Sequence, residues 1–248
     1  MHQRVRSPGS AKSGETSALP ADGAFKVAGR YLSKRNKVLK LRISEPGSCG
    51  RFLVLKEHAT AGQARSEYDS LTKLHAAGIR VPKPISLEGR CLYLQHLVGV
   101  LLTDIIERDI CSANWTEDLA RWYQTLHTTT ASGDGTSWLK TDNNLRNFLY
   151  VDNEFYGLDF EQVSRGDPAQ DIGQMCAFIL ANRPAFTAEK VAAARKLARR
   201  YLVLNSPVSP KKIQTELLTE LGQMARRRTK EKEHIRAFID STAARTLV

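Results

Sequence analysis

The hydrophobic period of this chain changes early on, and that change sets its architecture. Between Ala24 and Glu57 the runs AFKVAGRYL, KVLKLRI and RFLVLKE are short and rich in β-prone residues. The turn-rich pieces SKRN and SEPGSCG separate them, which predicts an antiparallel meander. From Ala61 the period becomes helical. AGQARSEYDSLTKLHAAG sets Ala64, Tyr68, Leu71 and Leu74 on one stripe, with Gly78 as the C-terminal cap and Pro82 and Pro84 beyond it. ISLEGRCLYLQHLVG then reads as a hairpin. After Gly99 helical patterns dominate: LLTDIIERDI, then TEDLARWYQTLHTTT opening at Thr116 and Glu117, then AQDIGQMCAFILANR, AEKVAAARKLARRYLVL and a helix-rich segment from Pro210. The expectation is an α+β chain of two lobes. A small antiparallel β-rich N-lobe with one helix spans 19–97, and a larger α-rich C-lobe spans 98–248. They follow a basic tail, 1–18, whose Ser, Gly and Pro content predicts flexibility. The cleft between two such lobes is where a ligand is expected.

Charge narrows the partners. Lys and Arg number 37 against 26 Asp and Glu, a net charge of +11. That excess favours anionic partners: a nucleotide, a phosphate, an anionic membrane surface or a nucleic acid. Cys49, Cys91, Cys111 and Cys176 show no CxxC spacing, so neither a zinc site nor a redox motif is predicted, and a reducing cytoplasmic setting is the simplest account. No apolar run approaches the roughly 18 residues of a membrane helix, and the N-terminal stretch lacks the apolar core of a secretory signal.

The segment KTDNNLRNFLYVDNEFYGLDFE, from Lys140 to Glu161, places Asp142, Asn147 and Asp159 around one predicted hairpin. Taken singly, Asp142 and Asn147 read as turn residues, and Lys56 and Glu67 as solvated strand and helix residues. Asp159 lies in an apolar run, where an unpaired carboxylate would be costly. Their order is what points to chemistry. Phosphoryl transfer from a nucleotide needs a lysine on the phosphates, hard oxygen ligands for magnesium, and a carboxylate beside the attacking hydroxyl. Lys56 ends the third strand and Glu67 is the acidic residue best placed to hold it. Asp142 is the candidate base, and Asn147 and Asp159 are the candidate metal ligands.

In that order the residues resemble the protein kinase-like superfamily. The likeness looks nearest to the aminoglycoside and choline phosphotransferase branch and to small RIO-type and lipopolysaccharide sugar kinases. It is carried by LARWYQTLH, by TDNNLRNFLY as the catalytic loop, by GLDFEQV as the metal strand, and by GDPAQDIG leading straight into the next helix. It spans roughly residues 25–182 and implies a bilobal kinase-like fold using ATP and Mg2+. It further implies a nucleotide held by Lys56 and Glu67, and by Lys34, Arg35 and Asn36 in place of a glycine-rich loop. The segment LQHLV, with Gln95 and Leu97, would be the hinge against adenine. Asp171 would brace the catalytic loop. With no activation segment to present a peptide, the implied acceptor is a hydroxyl of a small molecule, a sugar or a lipid-linked sugar.

The sequence departs from that pattern in having Lys140-Thr141 where the family usually has His-Gly, and DFE in place of DFG. These departures motivate the alternative of a pseudokinase acting as a binding module; a small RIO-like protein serine kinase is the other. A nucleic-acid partner rests on net charge alone and is disfavoured. The basic run MARRRTKEKEHIR would serve either as a solvated helix face or as a contact with an anionic partner, a membrane surface on the cytoplasmic side or RNA. Asp159→Ala is expected to abolish magnesium-dependent nucleotide binding and turnover; full activity in that variant rejects the site assignment.

Overall fold

The computed structural model describes residues 25–33, 35–44, 51–111, 114–205 and 207–248. The predicted basic tail, Lys34 and Cys49 lie outside those residues. The protein has the bilobal kinase-like architecture, a small antiparallel sheet with one helix joined to a larger helical part.

Five strands form the small sheet: β1 (Phe25–Tyr31), β2 (Lys37–Ile43), β3 (Phe52–Glu57), β4 (Pro84–Glu88) and β5 (Cys91–Gln95). Their order is β1-β2-β3-β5-β4, antiparallel throughout, so the predicted meander and hairpin merge into one sheet. Helix α1 (Ala61–Ala76) crosses between them. It begins with a capping box, in which Thr60 Oγ1 accepts from the Gln63 amide at 3.2 Å and Gln63 Oε1 accepts from the Thr60 amide at 3.1 Å. It ends at Gly78, whose φ of +80° carries the chain out of the helix. The buried face differs from the predicted stripe by one position: Ala64, Glu67, Leu71 and Leu74 are buried, while Tyr68 is half-buried. A carboxylate therefore takes an inward position that the apolar pattern assigned to an aromatic ring.

The larger part is built from α2 (Leu102–Asp109), α3 (Trp115–Thr129), α4 (Ala169–Leu180), α5 (Ala188–Leu204), α6 (Pro210–Arg227), α7 (Lys232–Asp240) and α8 (Thr242–Arg245). α3 starts one residue before the predicted Thr116, because Trp115 enters the helix with its indole Nε1 donating to the Ile110 carbonyl at 2.9 Å. α4 lies close against α6. A Cβ added at Gly173 would come within 2.6 Å of Glu216 Cβ and 2.7 Å of the Leu217 nitrogen, so only glycine permits that approach.

Five short strands frame the site. β6 (Val100–Leu101), β8 (Phe148–Val151) and β9 (Glu154–Gly157) form one sheet. β7 (Ser137–Leu139) pairs with β10 (Ser164–Gly166). Of these, only the β8–β9 hairpin was legible in the sequence. It turns at Asp152 and Asn153, with φ of 48° and 65°, the left-handed pair a tight two-residue hairpin requires. One junction of the lobes is a backbone oxygen: the Arg80 carbonyl, in the α1–β4 connection, accepts from Trp122 Nε1 of α3 at 2.9 Å and from the Gly157 amide at 3.0 Å. Beneath it Trp122, Tyr123, Phe148, Phe155 and Phe160 form an aromatic floor. Among the described residues no helix is long and apolar enough to cross a membrane. Cys91, Cys111 and Cys176 are free thiols.

Candidate active site

Lys56 leaves the end of β3 and its ammonium meets three carboxylates. Nζ lies 2.8 Å from Glu67 Oε2, 2.9 Å from Asp159 Oδ1 and 3.0 Å from Glu161 Oε1. The Lys56 and Glu67 side chains are 9% and 1% exposed, so this is a buried ion pair. Burial alone would lower the lysine pKa, but the attraction of Glu67 and Asp159 outweighs it and the net shift is upward. Burial likewise works against the Glu67 carboxylate. The neighbouring His58 and the Lys56 charge reverse that and hold it below the usual carboxylate range. Asp159 shows the same balance, with desolvation overcome chiefly by Lys56. All three stay charged. Removing one partner of such a pair typically costs about 3–5 kcal/mol, because the other is left buried and uncompensated.

The predicted residues fall around this cluster to differing degrees. The Asn36 side-chain amide donates to Glu161 Oε1, so the β1–β2 connection reaches the segment after β9. Arg35 is exposed. Gln95 pairs with Leu53 and is held by Lys83: its amide donates to the Lys83 carbonyl at 2.9 Å, and its Oε1 accepts from the Lys83 amide at 3.3 Å. Any ligand contact by its main chain would therefore fall to its carbonyl. Leu97 is half-buried in the segment between the lobes. At that mouth Tyr31 OH and His96 Nε2 lie 3.0 Å apart, joining the end of β1 to the segment after β5.

Asp142 is exposed, in the turn after β7. Its Oδ1 accepts from the Asn144 amide at 3.2 Å. Asn147 donates through Nδ2 to the Asp142 carbonyl at 3.3 Å, which turns its Oδ1 away from that contact. The Asn147 carbonyl accepts from the Leu158 amide at 2.8 Å, one residue before Asp159. The β8–β9 hairpin thus folds Asp159 back beside Asn147. An amide oxygen, a charged carboxylate and a cluster holding more negative than positive charge are a donor set that could hold a divalent cation.

Two residues here have strained backbones. Thr141 and Asp159 have φ of 63° and 60°, the left-handed region that a β-branched residue especially avoids. Two buried side chains hold them. Lys140, 0% exposed, donates through Nζ to the carbonyls of Asp142 at 3.0 Å and Asp159 at 2.9 Å, with the Phe160 ring 4.8 Å below. Burial lowers its pKa, offset only in part by Asp159 and Asp142. Asp171, in the first turn of α4, accepts from the amides of Lys140 at 2.7 Å and Thr141 at 3.2 Å, and from Asn143 Nδ2 at 2.8 Å. His127 Nε2 lies 3.0 Å from the same carboxylate, and its Nδ1 lies 2.7 Å from Tyr201 OH, which suits the tautomer protonated at Nε2. Asp171 therefore braces the loop, and Lys140 occupies the departure from His-Gly as a buried tie between that loop and the segment carrying Asp159.

The sequence reading left out three residues of this constellation. Lys140 and Glu161 stood out only as departures, and His58 gave no signal. Asp171→Asn keeps the shape but offers an NH2 to donors that need an oxygen. It is expected to cost about 2–4 kcal/mol in urea unfolding; a loss below about 1 kcal/mol rejects the bracing role.

No family model matches this sequence, and no curated protein matches it. Solved structures do match. A choline kinase from Cryptosporidium parvum is 10% identical, with a TM-score of 0.64 over 89% of this chain and 91% of that one. A choline/ethanolamine kinase family protein from Mesorhizobium loti is 12% identical, with a TM-score of 0.58 over 91% and 92%. An aminoglycoside phosphotransferase from Streptomyces rimosus, in complex with ADP and streptomycin, is 12% identical, with a TM-score of 0.54 over 79% and 91%. At these identities the likeness is one of fold: the chain has the protein kinase-like fold in the form seen in choline kinases and aminoglycoside phosphotransferases.

Proposed function

We propose that the protein is an ATP- and magnesium-dependent phosphotransferase that moves the γ-phosphoryl group to a hydroxyl of a small-molecule, sugar or lipid-linked sugar acceptor. The observation that carries this reading is the convergence of Glu67 and Asp159 on Lys56, with Asn147 and Asp142 on the adjoining hairpin and loop. Residues 19–97 form the nucleotide-binding lobe in this reading, and 98–248 carry the catalytic loop and acceptor site.

Lys56, fixed by Glu67, grips the nucleotide phosphates. Asn36 and its neighbours cover them in place of a glycine-rich loop, and Gln95 and Leu97 line the adenine side. Asn147 and Asp159 would hold Mg2+, which neutralises charge on the transferring phosphates when bound. Asp142 orients the acceptor hydroxyl. As that oxygen bonds to the γ-phosphorus, the bond to the β-phosphate oxygen breaks, ADP leaves, and the hydroxyl proton passes to the Asp142 carboxylate. The place of Lys140 in the core supports turnover over a binding-only role, because the departure from His-Gly still ties the loop to the metal strand.

A membrane-surface or lipid-linked acceptor is the finer form of this proposal. The basic run from the end of α6 into α7 is neutralised in part, by Arg227 with Glu220, Arg228 with Glu231 and Arg236 with Glu233. Uncompensated charge also lies on α5, where Lys196 and Arg199 are exposed without an ion pair among the described residues, next to Val203 at 72% exposure. Affinity for anionic vesicles, read by cosedimentation, is expected to fall at least about thirtyfold in the K196E/R199E variant, at roughly 1 kcal/mol for each basic residue lost; equal sedimentation with neutral vesicles removes the surface contact.

Turnover of ATP against a panel of amino alcohols, sugars and lipid-linked sugars tests the central reading. Asp142→Asn is expected to lower kcat by about 10²–10⁴ while leaving nucleotide affinity within a few-fold. No phosphoryl transfer by the wild type to any member of the panel, or undiminished kcat in the variant, overturns it.

A further inference from the structure

The acceptor positions of one buried carboxylate are all filled. Asp171, 1% exposed, accepts through Oδ2 from the Lys140 amide at 2.7 Å and from His127 Nε2 at 3.0 Å. Its Oδ1 accepts from the Thr141 amide at 3.2 Å and from Asn143 Nδ2 at 2.8 Å. Two of these donors are the backbone of the loop itself. The other two are side chains, and a tyrosine hydroxyl holds each from behind. Tyr201 OH, on α5, lies 2.7 Å from His127 Nδ1. Tyr123 OH, on α3, donates to Asn143 Oδ1 at 2.6 Å.

Both tyrosines are 0% exposed, and burial pushes both phenols up, so each keeps its O–H. Each branch is satisfied along its length. Asn205, which caps the end of α5, gives Nδ2 to the Tyr201 oxygen at 2.7 Å. The bond between that oxygen and His127 Nδ1 holds with either atom as donor, so the support rests on position. On the other branch Tyr123 takes up the Asn143 oxygen. That leaves Asn143 Nδ2 for Asp171 and for Gln174 Oε1 at 3.0 Å. The rings fix the same groups. Tyr123 stacks on the His127 ring, with centroids 5.7 Å apart and 24° between the planes, while Tyr201 meets that ring edge-on at 89°. Hydrogen bonding and packing therefore agree on one placement for His127.

We propose that Tyr123 and Tyr201 are positioning residues for Asp142. They lock Asn143 and His127, which lock the Asp171 carboxylate, which fixes the Lys140–Thr141 backbone from which Asp142 projects. This rests on the reading of Asp142 as the group that takes the acceptor's proton. Strain gives the support its reason. Thr141 has φ of 63°, and the Asp142 amide turns back to the Lys140 carbonyl at 2.7 Å. Such a turn relaxes when its amides lose a fixed acceptor. The two hydroxyls come from α3 and α5, helices that pack side by side, so the core of the larger lobe sets the aim of Asp142. Lys56 and Glu67 hold the phosphates in the reading above. Deleting a hydroxyl from α3 or α5 therefore touches turnover and spares nucleotide affinity.

Tyr123→Phe and Tyr201→Phe each keep the ring and remove one oxygen. Each is expected to lower kcat about tenfold at saturating ATP and magnesium, while the Mg-ATP Kd by titration calorimetry stays within about twofold of wild type. In an Asp171→Asn background, Tyr201→Phe is expected to lower kcat by less than about twofold, because its route to Asp142 is already cut. A kcat within about twofold of wild type in either single variant overturns the proposal, as does the full loss repeated in the Asp171→Asn background. Hydrogen exchange of the Lys140 and Thr141 amides needs no turnover. In the nucleotide-free protein it is expected to quicken about tenfold in each single variant; unchanged exchange overturns the proposal. A wild type that transfers no phosphoryl group rejects the functional reading instead, and the exchange rates still decide whether the tyrosines hold the loop.

Discussion

An ammonium ion shared among three carboxylates organises this molecule. Lys56 sits on the strand that β2 and β5 flank, Glu67 on the helix behind it, and Asp159 and Glu161 on the segment leaving β9. Each element is brought to that point by a different force: ladder hydrogen bonds for β3, a capped amphipathic helix for Glu67, and a tight left-handed turn for Asp159. The Glu67 carboxylate, 1% exposed, would be costly at that burial without the cation, and the buried cation would be costly there without its carboxylates. Tertiary structure and local charge therefore specify one another at this site.

The loop that carries Asp142 is held by a second set of contacts. Thr141 and Asp159 both occupy left-handed conformations, and such strain persists only where the surroundings over-determine it. Lys140 supplies two bonds from below and Asp171 supplies its oxygens from the side, steadied in turn by His127 and Tyr201. The exposed Asp142 carboxylate is thus carried on a loop whose base is buried and rigid. That carboxylate faces solvent while the backbone beneath it does not.

Much of this was legible in the chain. The change of period marked the β-rich and helical parts, and the β8–β9 hairpin followed from its Asp-Asn turn. The spacing from Asp142 to Asn147 and Asp159 carried the likeness to kinases. Three-residue strands such as β7 and β10 were not legible, because so short a run has no period to detect. Glu67 broke the apolar stripe of α1: a carboxylate faces inward only because a lysine from another strand meets it, and no local pattern encodes that partner. His58 was silent for the same reason, since its neighbours Glu67 and Glu161 are remote in sequence. Lys140 was visible only as an irregularity, and its burial explains why a long cationic side chain could serve there.

Three separate ties set how the small sheet sits over the larger lobe. The Trp122 indole and the Gly157 amide converge on the Arg80 carbonyl just past α1, the Phe160 amide donates to Glu67 Oε1 at 3.1 Å, and Lys56 Nζ lies 2.9 Å from Asp159 Oδ1. Three points that do not share a line define a plane, so the pose of the sheet is set in tilt as well as in position.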